Sequence, residues 1–141
     1  MSGFVEVRSY FRTALVALGF KEWTDAFNVD NIPSTILDKS FHLSAPSGSR
    51  RGGYDQQKQD AETSVAIRIA RKGYKNPANA IDQCLVDVDA IITQCLDITR
   101  RNESGIKNVY NGGHSITALD ASNDNVAVLE INFTCFIILK V

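Results

Sequence analysis

This 141-residue chain has few cysteines and histidines, the residues that build disulfide frameworks and many metal sites. It contains no run of about 18 apolar residues, so nothing in it is expected to span a bilayer. The N-terminus has no basic stretch followed by an apolar core, which argues against a secretory signal. With only two histidines and three cysteines, neither a metal site nor a disulfide framework is expected. We predict no metal or other cofactor.

The three cysteines, Cys84, Cys95 and Cys135, all fall at apolar positions and are interpreted as small core residues. Cys84 and Cys95 share one face of a predicted helix. Their spacing separates them by roughly 16 Å along the helix axis, which is too far for a disulfide. Unpaired thiols of this kind are typical of a reducing compartment.

Charges of the two signs nearly cancel, because 15 Lys and Arg stand against 16 Asp and Glu, for a net charge of −1. Such a chain has no global field that would recruit nucleic acid or an anionic membrane. The basic residues are nevertheless unevenly placed. A first basic group comprises Arg50, Arg51 and Lys58, and a second group follows shortly after it, with Arg68, Arg71, Lys72 and Lys75. A local basic face is therefore expected on a nearly neutral molecule.

Sequence motifs of catalysis are also missing. The chain has no G-x-S-x-G, no phosphate-cradling G-x-x-x-x-G-K and no G-x-G-x-x-G. His42 and His114 have no Cys, Asp or Glu at metal-ligand spacing, and each is interpreted as an exposed or hydrogen-bonded strand residue. Asp87 and Asp89 flank the apolar face of a long helix and are interpreted as part of a solvated face. The chain is therefore not expected to be an enzyme.

The first half of the chain predicts a helix followed by two strands. Apolar residues at three- and four-residue spacing over 3–18 indicate an amphipathic helix that ends at Gly19. The aromatic-rich stretch 20–35 has no sustained period and is interpreted as an excursion pinned to the body by its aromatic side chains. Residues 36–45 and 63–71 alternate as strands do, and we expect them to pair antiparallel.

The second half predicts a long helix and two further strands in a single domain covering residues 1–141. Asn76-Pro77 opens a helix of about 23 residues. Residues 106–119 predict a third strand, interrupted near its glycine pair. The last strand follows a turn at 121–125 and is apolar on both faces near its end, so we expect it to be covered on both sides. The order α-β-β-α-β-β predicts a two-layer α+β sandwich, in which a mainly antiparallel sheet packs against helices.

A polar, glycine-rich, net-basic stretch, residues 46–59 (PSGSRRGGYDQQKQ), lies between the first two predicted strands. Because ordinary hairpin connections use about two to five residues, this stretch is predicted to be an extended flexible loop. Such a loop is usually disordered or contacts a partner. Arginine grips phosphate and tyrosine stacks on bases, but the charge here is too sparse for a dedicated nucleic-acid binder. The predicted contact residues are Arg50, Arg51, Tyr54 and Lys58.

The sequence resembles the tail terminator (tail-completion) proteins of long-tailed bacteriophages. The resemblance covers nearly the whole chain and consists of length, element order and segment character. The matching features are the N-terminal helix ending in LGF (18–20), the aromatic segment EWTDAFNVDNIP (22–33), the strands around SFHL (40–43) and TSVAIRI (63–69), the long loop, the proline-started helix and two C-terminal strands.

The resemblance implies a structural virion protein of the tail or neck, assembled in the host cytoplasm as a closed, hexameric ring. The ring would stop the growth of the tail tube and join it to the head connector, with DNA passing through the lumen without sequence-specific binding. A ring requires a heterologous interface, for which the last strand and the sheet edges are candidates.

Other functions compete with this one. A head-closure or neck adaptor protein of the same particle is the nearest alternative. Two further alternatives belong to different classes: an enzyme or small-ligand domain that uses the helix-covered sheet as a pocket, and a small nucleic-acid-binding module.

Overall fold

The computed structural model describes residues 4–25, 27, 32–51, 58–74, 76–97, 106–121 and 124–140. Over these residues the chain adopts a mixed α+β fold with three helices and one six-stranded sheet. The helices are α1 (Phe4–Ala17), α2 (Ser34–Leu37) and α3 (Pro77–Cys95). The strands are β1 (Lys21–Glu22), β2 (Ser40–Leu43), β3 (Ser47–Arg51), β4 (Lys58–Tyr74), β5 (Ile106–Ala121) and β6 (Asp124–Lys140).

The sheet is built around two long antiparallel strands, β4 and β6. Its order is β1-β2-β4-β6-β5, and β3 pairs with β4 beside β2. All pairings are antiparallel except that of β1 with β2. β6 is therefore paired along both sides. Of the two candidates for a subunit interface, the last strand therefore has only its faces to offer, and the sheet edges among the described residues are β1, β3 and β5.

One face of the sheet carries the main hydrophobic core. Side chains alternate along a strand, so Val65, Ile67 and Ile69 share one face of β4, and they lie opposite Phe133, Ile131 and Leu129 of β6. α1 and α3 contribute their apolar stripes to the same buried cluster, including Val7, Phe11, Leu15, Cys84, Val88 and Ile91. Each fully buried aliphatic or aromatic side chain contributes about 1.5–3 kcal/mol, so this cluster is the main source of stability.

A second, smaller cluster confirms that the aromatic segment is pinned to the body. Ile32, Leu37, Ala70 and Val126 form its buried part, and Trp23 and Phe27 pack against it. Because Ala70 and Val126 alternate with main-core residues, this cluster lies on the opposite face of the sheet. Phe20 is also buried, but in the main core.

Both helix-end signals in the sequence are confirmed. Gly19 has a φ of 90° just after α1, a conformation that costs glycine least. At the other helix, the Asn76 side chain accepts a hydrogen bond from the Ala78 backbone N–H, 3.1 Å away, and so caps α3. Within the described residues, no helix is both long enough and apolar enough to cross a bilayer.

The element order differs from the predicted α-β-β-α-β-β by three short elements, β1, α2 and β3. Residues 36 and 37, predicted as strand, belong instead to α2, and α3 has 19 residues rather than about 23. The predicted interruption of the third strand is confirmed as a register shift between Asn111 and Gly113. Gly113 has a φ of 114°, and its backbone N–H donates a hydrogen bond to Oδ1 of Asn111.

Candidate partner-binding arm

The prediction that residues 46–59 form an extended flexible loop is wrong for many of these residues, because they belong to strands. Ser47–Arg51 forms β3, and β4 already begins at Lys58. β3 pairs with residues 60–64 of β4, and residues 58–64 of β4 pair on their other side with residues 134–140 of β6. We call these three paired segments the arm. With 17 residues, β4 is roughly 55 Å long, which is why it extends past β2 into the arm.

Close packing against α1 holds the base of the arm. At Gly48, a Cβ atom would lie 2.6 Å from Cε1 of Phe4 and 2.8 Å from the backbone oxygen of Glu62. Only glycine lets β3 approach both groups so closely. The Thr63 hydroxyl also donates a 3.1 Å hydrogen bond to the backbone oxygen of Ser47. The arm is therefore tied to the first turn of α1.

Three of the four predicted contact residues meet at one end of the arm. The backbone of Arg50 pairs with Ala61, and that of Arg51 pairs with Asp60. Lys58 begins β4 two residues before Asp60. Tyr54 belongs to residues 52–57, which lie outside the described part of the chain. We refer to this end, with Arg50, Arg51 and Lys58, as the basic tip.

Sequence reasoning missed one basic residue of the tip. Lys140, near the C-terminus, pairs directly with Lys58 in the register of β4 and β6. The two residues are far apart in sequence, so their pairing can be seen only from the register of the strands. The tip thus gathers a fourth basic residue from the last strand.

The arm also carries an open strand edge. In the described part of the chain, β3 pairs with β4 alone, and β5 on the far side of the sheet pairs with β6 alone. The outward N–H and C=O groups of such edges can pair with a strand of another chain. The two edges differ in sequence and in position, so a contact between them would be heterologous.

The second predicted basic group does not form a free basic face. Arg68 lies 4.0 Å from Glu130 across the sheet, as measured between Nε and Oε2. Arg71 contacts two carboxylates, and Lys72 is buried with a relative exposure of 5%. Lys75 lies outside the described residues. Positive charge at these described positions is therefore partnered or buried within the fold.

Arg71 is the centre of a buried charge cluster between β4 and α3. Its Nε lies 3.1 Å from Asp87 Oδ2, although the groups are not aligned as a hydrogen bond, so the contact is coulombic. Asp38 lies 3.8 Å away on another side and also accepts a 2.9 Å hydrogen bond from the Lys72 backbone N–H. Burial raises the pKa of Asp87, and Arg71 opposes that rise only in part.

The interpretation of Asp87 as part of a solvated face is therefore wrong, since this residue is 5% exposed. Asp89 is exposed, as expected. The arrangement of Arg71, Asp38 and Asp87 fastens α3 and the segment before β2 to the sheet.

The two histidines occupy strands, as predicted. Nδ1 of His42 lies 3.0 Å from the backbone oxygen of Trp23, and because a carbonyl oxygen only accepts, this nitrogen donates. His114 is exposed on β5. Among the described residues, no three His, Cys, Asp or Glu side chains come together in a group that could hold a metal ion.

All three cysteines are buried and free, which confirms their prediction as core residues. Burial raises the pKa of the Cys84 and Cys135 thiols to about 12. A thiol with so high a pKa forms almost no thiolate near neutral pH, and thiolate is the reactive form. These cysteines therefore contribute packing to the core.

Comparison of the chain with known proteins does not assign it to a family. No protein-family model matches this chain, and no curated protein matches it either.

Proposed function

We propose that this protein is a structural component of a long-tailed bacteriophage particle, a tail terminator that forms a hexameric ring at the end of the tail tube. The arm carries the proposal, because it combines a basic tip with a strand edge that has no partner among the described residues. Both features suit contact with other proteins. In this role the protein acts by binding and carries out no reaction.

A ring requires that one surface of each subunit meet a different surface of the next. The unequal edges β3 and β5 support this requirement. We also infer the two-layer α+β sandwich expected from the order of the predicted helices and strands. It is supported by α1 and α3, which contact each other and contribute to one buried cluster on a single face of the sheet.

In the assembled particle, Arg50, Arg51, Tyr54 and Lys58 contact the tail tube protein, the head-connector protein or the lumen. The lumen passes DNA without reading its sequence, for which a few basic residues suffice. The protein would be assembled in the host cytoplasm and reside in the tail or neck of the virion.

The test removes the basic tip and keeps strand-forming residues. In the tip variant, Arg50, Arg51 and Lys58 are replaced by Thr, which favours strands, and Tyr54 by Ser. The control variant replaces Lys21 and Arg68, two exposed basic residues outside the arm, by Thr. We expect wild type and control to co-sediment with purified tail tubes and to form rings with a central hole in negative stain. The tip variant should keep its circular dichroism spectrum and lose tube binding.

Infectious particles completed normally by the tip variant would contradict the proposal. Binding of the wild-type protein to purified portal complexes, but not to tail tubes, would favour the head-closure alternative. Strong, salt-dependent affinity for DNA by the wild type would favour a nucleic-acid-binding module instead.

A further inference from the structure

The outward side of α1 forms a groove with both apolar and basic walls. Val5 is 80% exposed, and residues three, four and seven positions further along α1 lie on the same stripe. The groove has a volume of about 370 Å³. It is lined by Phe4, Val5, Arg8, Ser9, Arg12 and Pro46.

The groove carries net positive charge. Arg8 and Arg12 both contact Glu22, each at 2.5 Å, so two cations share one carboxylate. Their side chains remain 40% and 54% exposed, whereas that of Glu22 is 13% exposed. A guanidinium has five N–H donors, and Glu22 takes only one from each arginine in these contacts. Both arginines therefore retain donors for a second carboxylate.

The outward side of α3 has the opposite character. Leu85 and Val86 are 47% and 67% exposed, and Asp82 and Asp89 flank them on the exposed side. The sequence of α3 contains no lysine or arginine. Within the described residues, neither Asp82 nor Asp89 has an ion-pair partner. This face is acidic and apolar, where the α1 groove is basic and apolar.

We propose that the α3 face of one copy of this chain docks into the α1 groove of the next copy. Leu85 and Val86 would cover the apolar wall, and Asp82 and Asp89 would reach Arg8 and Arg12. The two aspartates lie about 10 Å apart along α3, a separation that two long arginine side chains set about 6 Å apart on α1 can span.

The placement of the two helices fits a head-to-tail contact. α1 contacts β1 and β2 at one side of the sheet, whereas α3 contacts β4, β5 and β6. The two helices also contact each other on one face of the sheet, but their outward faces carry different residues, so a contact between these faces joins unlike surfaces, as a heterologous interface requires. The inference rests on the proposed ring and names its subunit contact.

Cross-linking between introduced cysteines tests the contact directly. The variants are Val5→Cys, Val86→Cys and the double variant, treated with a short bismaleimide alone and again with tail tubes present. The native cysteines are buried, so they do not compete for the reagent. We expect the double variant to give a ladder of covalent oligomers, and a mixture of the two single variants to stop at a dimer. Val5→Cys paired with Asn132→Cys, an exposed position on the central strand β6, is the control that should stay monomeric.

Charge reversal tests the electrostatic part. Asp82→Lys with Asp89→Lys, added to the cross-linking pair, should lower the oligomer yield about tenfold, since two attractive pairs become repulsive. Asp25→Lys, an exposed aspartate outside α3, should leave the yield unchanged. Salt near 1 M should also lower the wild-type yield, because it shortens the Debye length to about 3 Å.

The outcomes separate this inference from the proposed function. Wild-type rings in negative stain without cross-linking of the double variant would overturn the interface and leave the ring in place. A ladder without rings or tube binding would support the contact and count against the terminator role. Cross-linking of Val86→Cys alone into a dimer would show a symmetric contact and would overturn the inference.

Discussion

Asp87 shows how a single residue can belong to the core despite its charge. It follows Cys84 by three positions and precedes Ile91 by four, so it lies on the buried stripe of α3. Its charge suggests a solvated position, but this spacing puts it on the buried side of the helix. A sequence signal for the buried position of Asp87 is Arg71, a basic residue at the end of the apolar face of β4. A buried cation requires a counter-charge nearby.

Replacement of Asp87 by Leu should destabilise the protein by about 2–3 kcal/mol, because Arg71 is left in the interior with only Asp38 at 3.8 Å. Replacing both partners, Arg71→Met with Asp87→Leu, should restore most of that loss. Burial works against the charge of Asp87, as its raised pKa indicates, and a buried ion pair can often be replaced by apolar side chains of similar size at little cost. Urea unfolding of the single and double variants measures the difference.

The exposed neighbour Asp89 supplies the control for that cycle, since Asp89→Asn should change the free energy of unfolding by less than about 0.5 kcal/mol. If the double variant lost as much stability as the single variants Asp87→Leu and Arg71→Met lose in sum, the ion pair would not be the coupling we describe.

Glu22 should contribute to the free energy of unfolding near neutral pH, and this contribution should be lost in acid. Burial raises its pKa, but hydrogen bonds from Arg12 and Arg8 lower it more, so the pKa lies below its usual value of 4.5. A carboxyl whose folded pKa is depressed stabilises the protein above the unfolded pKa, and this contribution disappears as pH falls through the folded pKa. Because both arginines are substantially exposed, Glu22→Gln should cost only about 1 kcal/mol at pH 7.

The measurement for Glu22 is thermal unfolding of wild type and Glu22→Gln between pH 7 and pH 2. The two melting curves should converge as the pH falls below 4.5, the usual value for this carboxyl. A gap that stayed constant down to pH 2 would show that Glu22 acts through packing and not through its charge.

At the scale of elements, helices and strands with a strong apolar periodicity could be predicted from the sequence. Short elements whose formation depends on neighbouring strands could not. In α1, α3, β4, β5 and β6, apolar residues at regular spacing face the main core, so a local pattern was enough. β3 (SGSRR) has no alternation and becomes a strand because β4 extends past β2 and offers it an edge. α2 has only four residues, too few for a helical period.

The candidate site was also predicted only in part. The sequence alone identified its basic residues, and three of them do lie at one end of the arm. The strand that carries Arg50 and Arg51, and the approach of Lys140 to Lys58, depend on register between segments far apart in sequence. No local pattern encodes that register.

A glycine in β4 sets the distance between the sheet and α3. At Gly73, a Cβ atom would lie 2.3 Å from the backbone oxygen of Asn76 and 2.9 Å from the backbone nitrogen of Ala80. These atoms belong to the cap and first turn of α3, and neither can rotate away. Gly73→Ala should therefore displace the start of the helix and cost about 2–3 kcal/mol, measured by urea unfolding.

Gly112, also in a strand and beside a register shift, is the matched control. An added Cβ there would meet nothing nearer than 3.4 Å. Gly112→Ala should be neutral or slightly stabilising, by up to about 1 kcal/mol, because it restricts the unfolded chain. Equal losses in the two variants would mean that removal of a strand glycine, and not the approach to α3, causes the effect.

At the scale of the whole molecule, one buried cluster joins α1, β2, β4, α3, β5 and β6. Residues in this cluster come from nearly the full length of the chain, so local opening of one element exposes apolar surface on several others. We therefore expect the described body to unfold as a single cooperative unit, as small single domains usually do.

The three cysteines test this cooperativity, since Cys84, Cys95 and Cys135 sit in two different elements of the same cluster. Burial protects them, and the pKa of about 12 for Cys84 and Cys135 keeps the thiols protonated in the native state. In rising urea, variants that retain one cysteine each, with the others replaced by Ala, should become reactive to a thiol reagent together with the loss of helical circular dichroism. If the Cys84 variant reacted at clearly lower urea than the Cys135 variant, relative to their own circular dichroism midpoints, α3 would detach before the sheet unfolds and the single-unit account would be wrong.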